Sequence, residues 1–151
     1  MGYCMQQEET RFAIRAENMK HAFGQLQALA SRAGAHRRGH FAWVDTSTLL
    51  NAKSVQEHLA EWRWDPELDA DGNIVSLDFT GEKLGDDIEL FKALAPYVER
   101  GSFIRMSGED GELWRWFFDG TSCVEQTPTV SFDDHLPEVI DVSPGPAGLL
   151  R

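Results

Sequence analysis

The tripeptide Trp-Arg-Trp occurs twice, at Trp62-Arg63-Trp64 and Trp114-Arg115-Trp116, and these copies hold four of the chain's five tryptophans. Burying one tryptophan removes about 150–250 Å² from water. At ~25 cal/mol/Å² the four are worth roughly 15–25 kcal/mol as an upper bound, whereas a whole domain is stable by only about 5–15 kcal/mol. Any architecture must therefore bring most of them into a core. Trp62, Trp114 and Trp116 are expected there. Trp64, past the end of a helical stripe and beside Asp65-Pro66, is the member expected at the surface.

The apolar pattern supplies the elements. Residues 10–16 alternate, with Phe12, Ile14 and Ala16 on one face, which predicts a strand. Met19, Ala22, Phe23, Leu26, Leu29, Ala30 and Ala33 recur at helical spacing and predict a helix over 18–33, with Asn18 as N-cap and Gly34 as C-cap. A basic loop, 35–40, leads to a second predicted strand, 40–45. Ser54 and Glu57 form a capping box that opens a short helix carrying Val55, Leu59 and Trp62, with Pro66 as its stop. An acidic turn, 65–73, precedes a strand over 74–80, with Val75, Leu77 and Phe79 on one face. Asp86 or Asp87 caps the next helix, in which Ile88, Phe91, Ala95 and Val98, with Leu90 and Leu94 beside them, make a broad apolar face. Pro96 tightens or kinks its last turn, and Gly101 ends it. Strands over 102–107 and 113–118 flank the turn Gly108 to Glu112. In the second of these, Trp114, Trp116 and Phe118 face one way. Arg115 and Phe117 face the other, so Phe117 is either covered by the C-terminal segment or part of a binding surface.

The resulting order, β-α-β-(α)-β-α-β-β, predicts an α+β fold of the ferredoxin-like, split βαβ kind: an antiparallel sheet with helices on one face. One domain over residues 1–120 is followed by an irregular extension over 121–142, with an edge strand at 129–132. A Pro- and Gly-rich tail, 143–151, is expected to be disordered.

Composition narrows the function. No apolar run approaches the roughly 18 residues of a membrane span, and the N-terminus has no secretion-signal pattern, so a cytoplasmic protein is expected. Cys4 and Cys123 are expected as free thiols. The net charge is −11, and residues 54–151 hold twenty-one of the twenty-five acids. Such a field repels nucleic-acid phosphates and anionic lipid and attracts basic surfaces. Direct nucleic-acid binding is therefore not expected, although exposed aromatics on a sheet of this kind can stack bases.

Catalytic and metal patterns are thin. His36 and His40 have a metal-like spacing, with no Cys or carboxylate nearby in sequence to complete a zinc site. Residues 67–78 fit a calcium loop only in part, because Glu67 stands at the first ligand and Asp78 at the twelfth. Neither cysteine has a nucleophile signature, no serine lies in an elbow motif, and no phosphate-binding glycine loop occurs. No catalytic residue, metal or cofactor is expected.

The segments Gly81-Glu82-Lys83-Leu84-Gly85-Asp86-Asp87, Ala95-Pro96-Tyr97-Val98-Glu99, Ser107-Gly108-Glu109-Asp110-Gly111 and Trp114-Arg115-Trp116, with the opening Met1-Gly2-Tyr3-Cys4-Met5, carry a resemblance. Over residues 1 to about 120 the chain resembles a group of small proteins of phages, prophages and other mobile elements. The resemblance implies a setting rather than a reaction. A small acidic protein in that setting is expected to inhibit a protein target stoichiometrically. A counter-defence role of the anti-CRISPR type, occluding a basic nucleic-acid-binding surface, is the leading expectation. Its contact surface is expected to combine Asp86, Asp87, Glu89, Glu109, Asp110 and Glu112 with Trp64. The alternatives are an immunity protein or antitoxin neutralising a basic toxin, and a small-ligand protein or enzyme with a pocket under the helices.

Overall fold

The structure, a computed structural model, describes residues 2–134. It is mixed α+β, with four helices, a four-stranded antiparallel sheet and a separate two-stranded ribbon. Residues 135–142 of the extension, and the tail over 143–151, lie outside the described residues.

Strand β1 is Met5–Arg11, five residues earlier than the alternation suggested. Its ladder with β4 is interrupted by a bulge between Gln7 and Thr10. Phe12 and Ile14 are buried as expected, but beyond the ladder. There Ile14 exchanges backbone hydrogen bonds with Ile74 (3.0 and 2.8 Å) and makes an isolated bridge to Val98. The alternation marked burial correctly and strand pairing incorrectly, since period 2 reports which side is dry rather than which backbone is paired.

Helix α1 is Met19–Ser31 and buries Ala22, Leu26, Leu29 and Ala30. Neither expected cap operates: Asn18 makes no side-chain cap bond, and Gly34 lies within a 3-10 turn over Ala33–Ala35. The strand expected at 40–45 is absent. The chain turns there, with Trp43 at φ 67°, a conformation incompatible with an extended ladder. Asp45 then accepts the Ser47 N–H at 2.9 Å and opens helix α2, Thr46–Asn51. Helix α3, Val55–Glu61, starts on the expected capping box. Ser54 accepts the Glu57 N–H at 3.1 Å, while Glu57 reaches back to the Lys53 N–H at 2.8 Å. Its end is set by Arg63 at φ 68°, not by Pro66. Arg63 donates its N–H to the Ala60 carbonyl, taking the left-handed position usually given to Gly.

Pro66 lies in β2, Trp64–Leu68, which pairs antiparallel with β3, Ile74–Phe79. The lack of a proline N–H is tolerated in a strand of a two-stranded ribbon. A bulge near Val75 breaks the inward alternation: Ile74 and Leu77 are buried and Val75 is exposed. Helix α4, Asp87–Leu94, buries Leu90, Phe91 and Leu94, and Pro96 sits in the 3-10 turn that follows.

Strands β4, Phe103–Gly108, and β5, Leu113–Phe118, form the expected hairpin. Strand β6, Cys123–Gln126, adds to β5, so the edge strand falls six residues before the expected one and residues 129–132 are not a strand. The sheet order is β1-β4-β5-β6. The split βαβ arrangement needs a strand after α1, and that segment instead forms the turn and α2. Trp116, Phe118, Ile104 and Met106 line the inner face, continuous with Trp64, Phe91 and the helical core. Trp62, Trp64, Trp114 and Trp116 are all buried.

Candidate functional site

The seven residues expected at a contact surface separate into three situations. Trp64 is fully buried, at 0 % exposure, and Asp87 nearly so. The inward turn of β2 places the Trp64 ring against Phe79, Phe91 and Trp116. Its Nε1–H donates to Asp87 Oδ1 at 2.9 Å, and Asp87 Oδ2 accepts the Gly85 N–H at 2.9 Å. Burial pushes the Asp87 carboxyl above its ordinary value, while the two donors pull the other way. The pair is an internal tie between β2 and α4, so neither residue is available to a partner. Trp64, expected at the surface because it lies past the helical stripe that ends at Trp62, instead opens β2 with its ring inward. The left-handed Arg63 reverses the direction of the next side chain.

Asp86 is also committed. Its Oδ2 accepts the Ala42 N–H at 2.7 Å and faces Arg38 Nη1 at 3.3 Å, while Oδ1 lies 3.6 Å from His36 Nε2. It clamps the basic loop onto the start of α4. His40 Nδ1 instead faces the Arg38 carbonyl at 3.1 Å, so the two histidines do not converge. Glu89, half-buried in the first turn of α4, is suited by charge to the helix dipole.

The three acids of the β4–β5 turn are exposed, and two hold the N-terminal segment. Glu109 Oε1 accepts the Cys4 N–H, and Asp110 Oδ1 accepts the Tyr3 hydroxyl and the Glu112 N–H. The Tyr3 ring passes over Gly108, where any Cβ would collide with it. The Glu112 carboxylate is exposed and accepts no hydrogen bond among the described residues. No hydrogen bond joins this turn to the α4 acids among the described residues.

A second acidic surface lies elsewhere. On the outward face of the β2–β3 ribbon, Asp65 stands directly opposite Asp78, and Glu67 opposite Ser76. Asp65, Glu67 and Asp78 are exposed, and none is in an ion pair among the described residues. Like charges directly opposite on a ladder are unfavourable, and no ion pair offsets this one among the described residues. At the ribbon's tip, Asp69 is occupied in closing the turn: it accepts from the Asp71 and Asn73 N–H groups and from Asn73 Nδ2, each at 2.9 Å. The Asn73 side-chain bond is the main cause of its lowered pKa. That is a closed turn rather than a calcium loop. The row was foreshadowed by Asp78 alternating with Leu77 and Phe79, but its partner Asp65 could not be placed while Trp64 was assigned to a helix end.

Among the described residues, no group of three or more His, Cys, Asp or Glu is arranged to hold a metal ion. Nor, among them, is any helix long and apolar enough to cross a membrane. No protein-family model, curated protein or solved structure matches the chain.

Proposed function

We propose that the protein acts by binding a basic protein surface, with the outward face of the β2–β3 ribbon as its contact. The observation that carries this reading is the Asp65–Asp78 pair, two facing carboxylates that enter no ion pair among the described residues. A net charge of −11 supports it by steering basic partners toward the chain. The resemblance to mobile-element proteins supports a stoichiometric inhibitor of the counter-defence kind, one that covers a basic nucleic-acid-binding groove. The surface differs from the one drawn from sequence: Trp64, Asp87 and Asp86 are engaged internally, and Asp65, Glu67 and Asp78 take their place, with Glu112 as a peripheral acid.

The test is affinity capture from the native host at low salt, comparing the wild type with Asp65→Lys/Glu67→Lys/Asp78→Lys. A stoichiometric basic partner should be captured by the wild type, released as salt rises, and lost with the triple variant. Capture that survives the charge reversal would move the interface elsewhere. The absence of any basic partner at low salt would reject the reading.

A further inference from the structure

The outer face of the four-stranded sheet has the opposite character. Arg105 on β4 stands directly opposite Arg115 on β5, and Phe103 opposite Phe117 in the next row. Like-charged cross-strand neighbours are unfavourable here too. Arg105 has one distant carboxylate, Glu9 at 3.9 Å, and its side chain is 49 % exposed. Arg115 enters no ion pair among the described residues. Its Nε donates to Gln126 Oε1 at 2.7 Å, and its guanidinium lies over both phenyl rings, at 5.6 Å from the Phe103 centroid and 5.0 Å from that of Phe117. The two rings hold this guanidinium by cation–π attraction, and no carboxylate pairs with it among the described residues.

Beyond Gln126 the chain forms a wall beside this pair. Residues 127–129, with Leu113, Arg105 and Arg115, enclose a groove of about 670 Å³. That size suits a small organic ligand rather than a single ion. Its lining combines two arginines, two threonines and Gln126 with the apolar Leu113 and Pro128. Guanidiniums match the oxygens of a phosphate, and the apolar lining matches a flat ring. The ligand should be small: a long polyanion would meet the repulsion of a chain with net charge −11.

We propose that this groove binds a small phosphate monoester carrying a planar ring, of nucleoside-monophosphate size, with Arg105 and Arg115 holding the phosphate. The proposal is independent of the acidic ribbon. β6 and β5, which carry most of the groove, lie at the opposite end of the strand order from β1, the strand next to the ribbon.

The experiment is an amide-resolved NMR titration of the full chain with uridine 5′-monophosphate, uridine, inorganic phosphate and a ten-nucleotide oligothymidine. Saturable shifts at Leu113, Arg115 and Gln126 are expected with the monophosphate, with much weaker response to uridine or phosphate alone. Arg105→Gln and Arg115→Gln should each weaken binding by about tenfold or more, the loss of a charge-assisted hydrogen bond. Arg105→Lys should fall between, keeping charge without the fork. Unperturbed spectra elsewhere in the sheet establish that the variants fold. No shift at millimolar monophosphate would overturn the proposal. So would binding indifferent to both Gln substitutions. Tighter binding of the oligonucleotide, with strong salt dependence, would equally overturn it, because the face would then be a polyanion surface.

Discussion

The side-chain carbonyl oxygen of Gln7 accepts the backbone N–H of Phe79 at 2.7 Å, while its Nε2–H donates to the Leu77 carbonyl at 2.8 Å. One amide side chain thus imitates a rung of β-ladder and joins the four-stranded sheet to the ribbon where no strand pairing does so. Gln7→Ala leaves two partly buried backbone groups without these partners and should cost about 1–3 kcal/mol, read by urea denaturation. Faster hydrogen exchange at the Phe79 amide than at Trp116 would distinguish local loosening from global loss.

The Trp64–Asp87 tie has a sharper signature. Trp64→Phe keeps an aromatic in the core but removes the donor to a buried carboxylate, at an expected cost of about 1–3 kcal/mol. The cost should shrink in the double variant Trp64→Phe/Asp87→Ala relative to the sum of the singles, as a double-mutant cycle measures. Additive single effects would show that the two residues are not coupled.

Asp78 should reveal the cost of facing like charges on the ribbon. Asp78→Thr removes the repulsion from Asp65 and adds a β-branched residue to a strand. A gain of roughly 0.2–1 kcal/mol is expected at low ionic strength, shrinking with added salt as screening removes the repulsion. A destabilised Asp78→Thr protein would mean that the carboxylate has a stabilising role in the fold.

His58 supplies the pH dependence. It is fully buried on α3, and among the described residues neither ring nitrogen has a well-formed hydrogen bond. Burial pushes its pKa down to about 4, and the nearby Leu26 backbone opposes this to a lesser degree. The unfolded chain takes up this proton near pH 6.5, so it binds more protons than the fold between about pH 6.5 and 4, and stability falls as pH drops through that window. The contribution is roughly 3 kcal/mol by pH 4. His58→Leu, of similar volume, should flatten this part of the pH–stability curve measured by thermal denaturation.

The two thiols should differ in reactivity. Cys123 is buried, and burial with nearby Glu125 pushes its pKa up to about 12. Cys4 is half-buried, with Lys83 Nζ at 3.1 Å from its sulfur. Iodoacetamide at neutral pH should modify Cys4 in the native protein and reach Cys123 only on unfolding, as resolved by peptide mass spectrometry. Equal labelling rates would contradict the packing around β6.

Long-period apolar patterns translated well into structure. The Leu26–Leu29–Ala30 stripe, the Leu90–Phe91–Leu94 face, the Ser54 cap and the β4–β5 hairpin all lie where local spacing placed them. Two of the failures depended on single backbone reversals. Trp43 and Arg63 are non-glycine residues in the left-handed region, where sequence gives no glycine to announce them. Arg63 donates to the Trp43 carbonyl, so the two reversals support each other across the chain. One turned an expected strand into a turn and a helix. The other moved Trp64 from the surface to the centre. β6 escaped notice because Cys-Val-Glu-Gln offers only four residues and no run of apolar alternation. The acidic ribbon face could be seen only after β2 was in register with β3, since the opposition of Asp65 and Asp78 is a property of pairing rather than of either segment.

The ribbon enters at Arg63 and leaves at Thr80, whose N–H closes its base on the Arg63 carbonyl at 2.8 Å. Inside that closure, Trp64 and Leu77 point into the core, while Asp65, Glu67, Ser76 and Asp78 do not contribute to it. Anchoring and display are thus assigned to different side chains of one short hairpin. Substitution can rewrite the exposed set while the anchors keep the scaffold unchanged, so the charge of this face is free to vary without any change of shape.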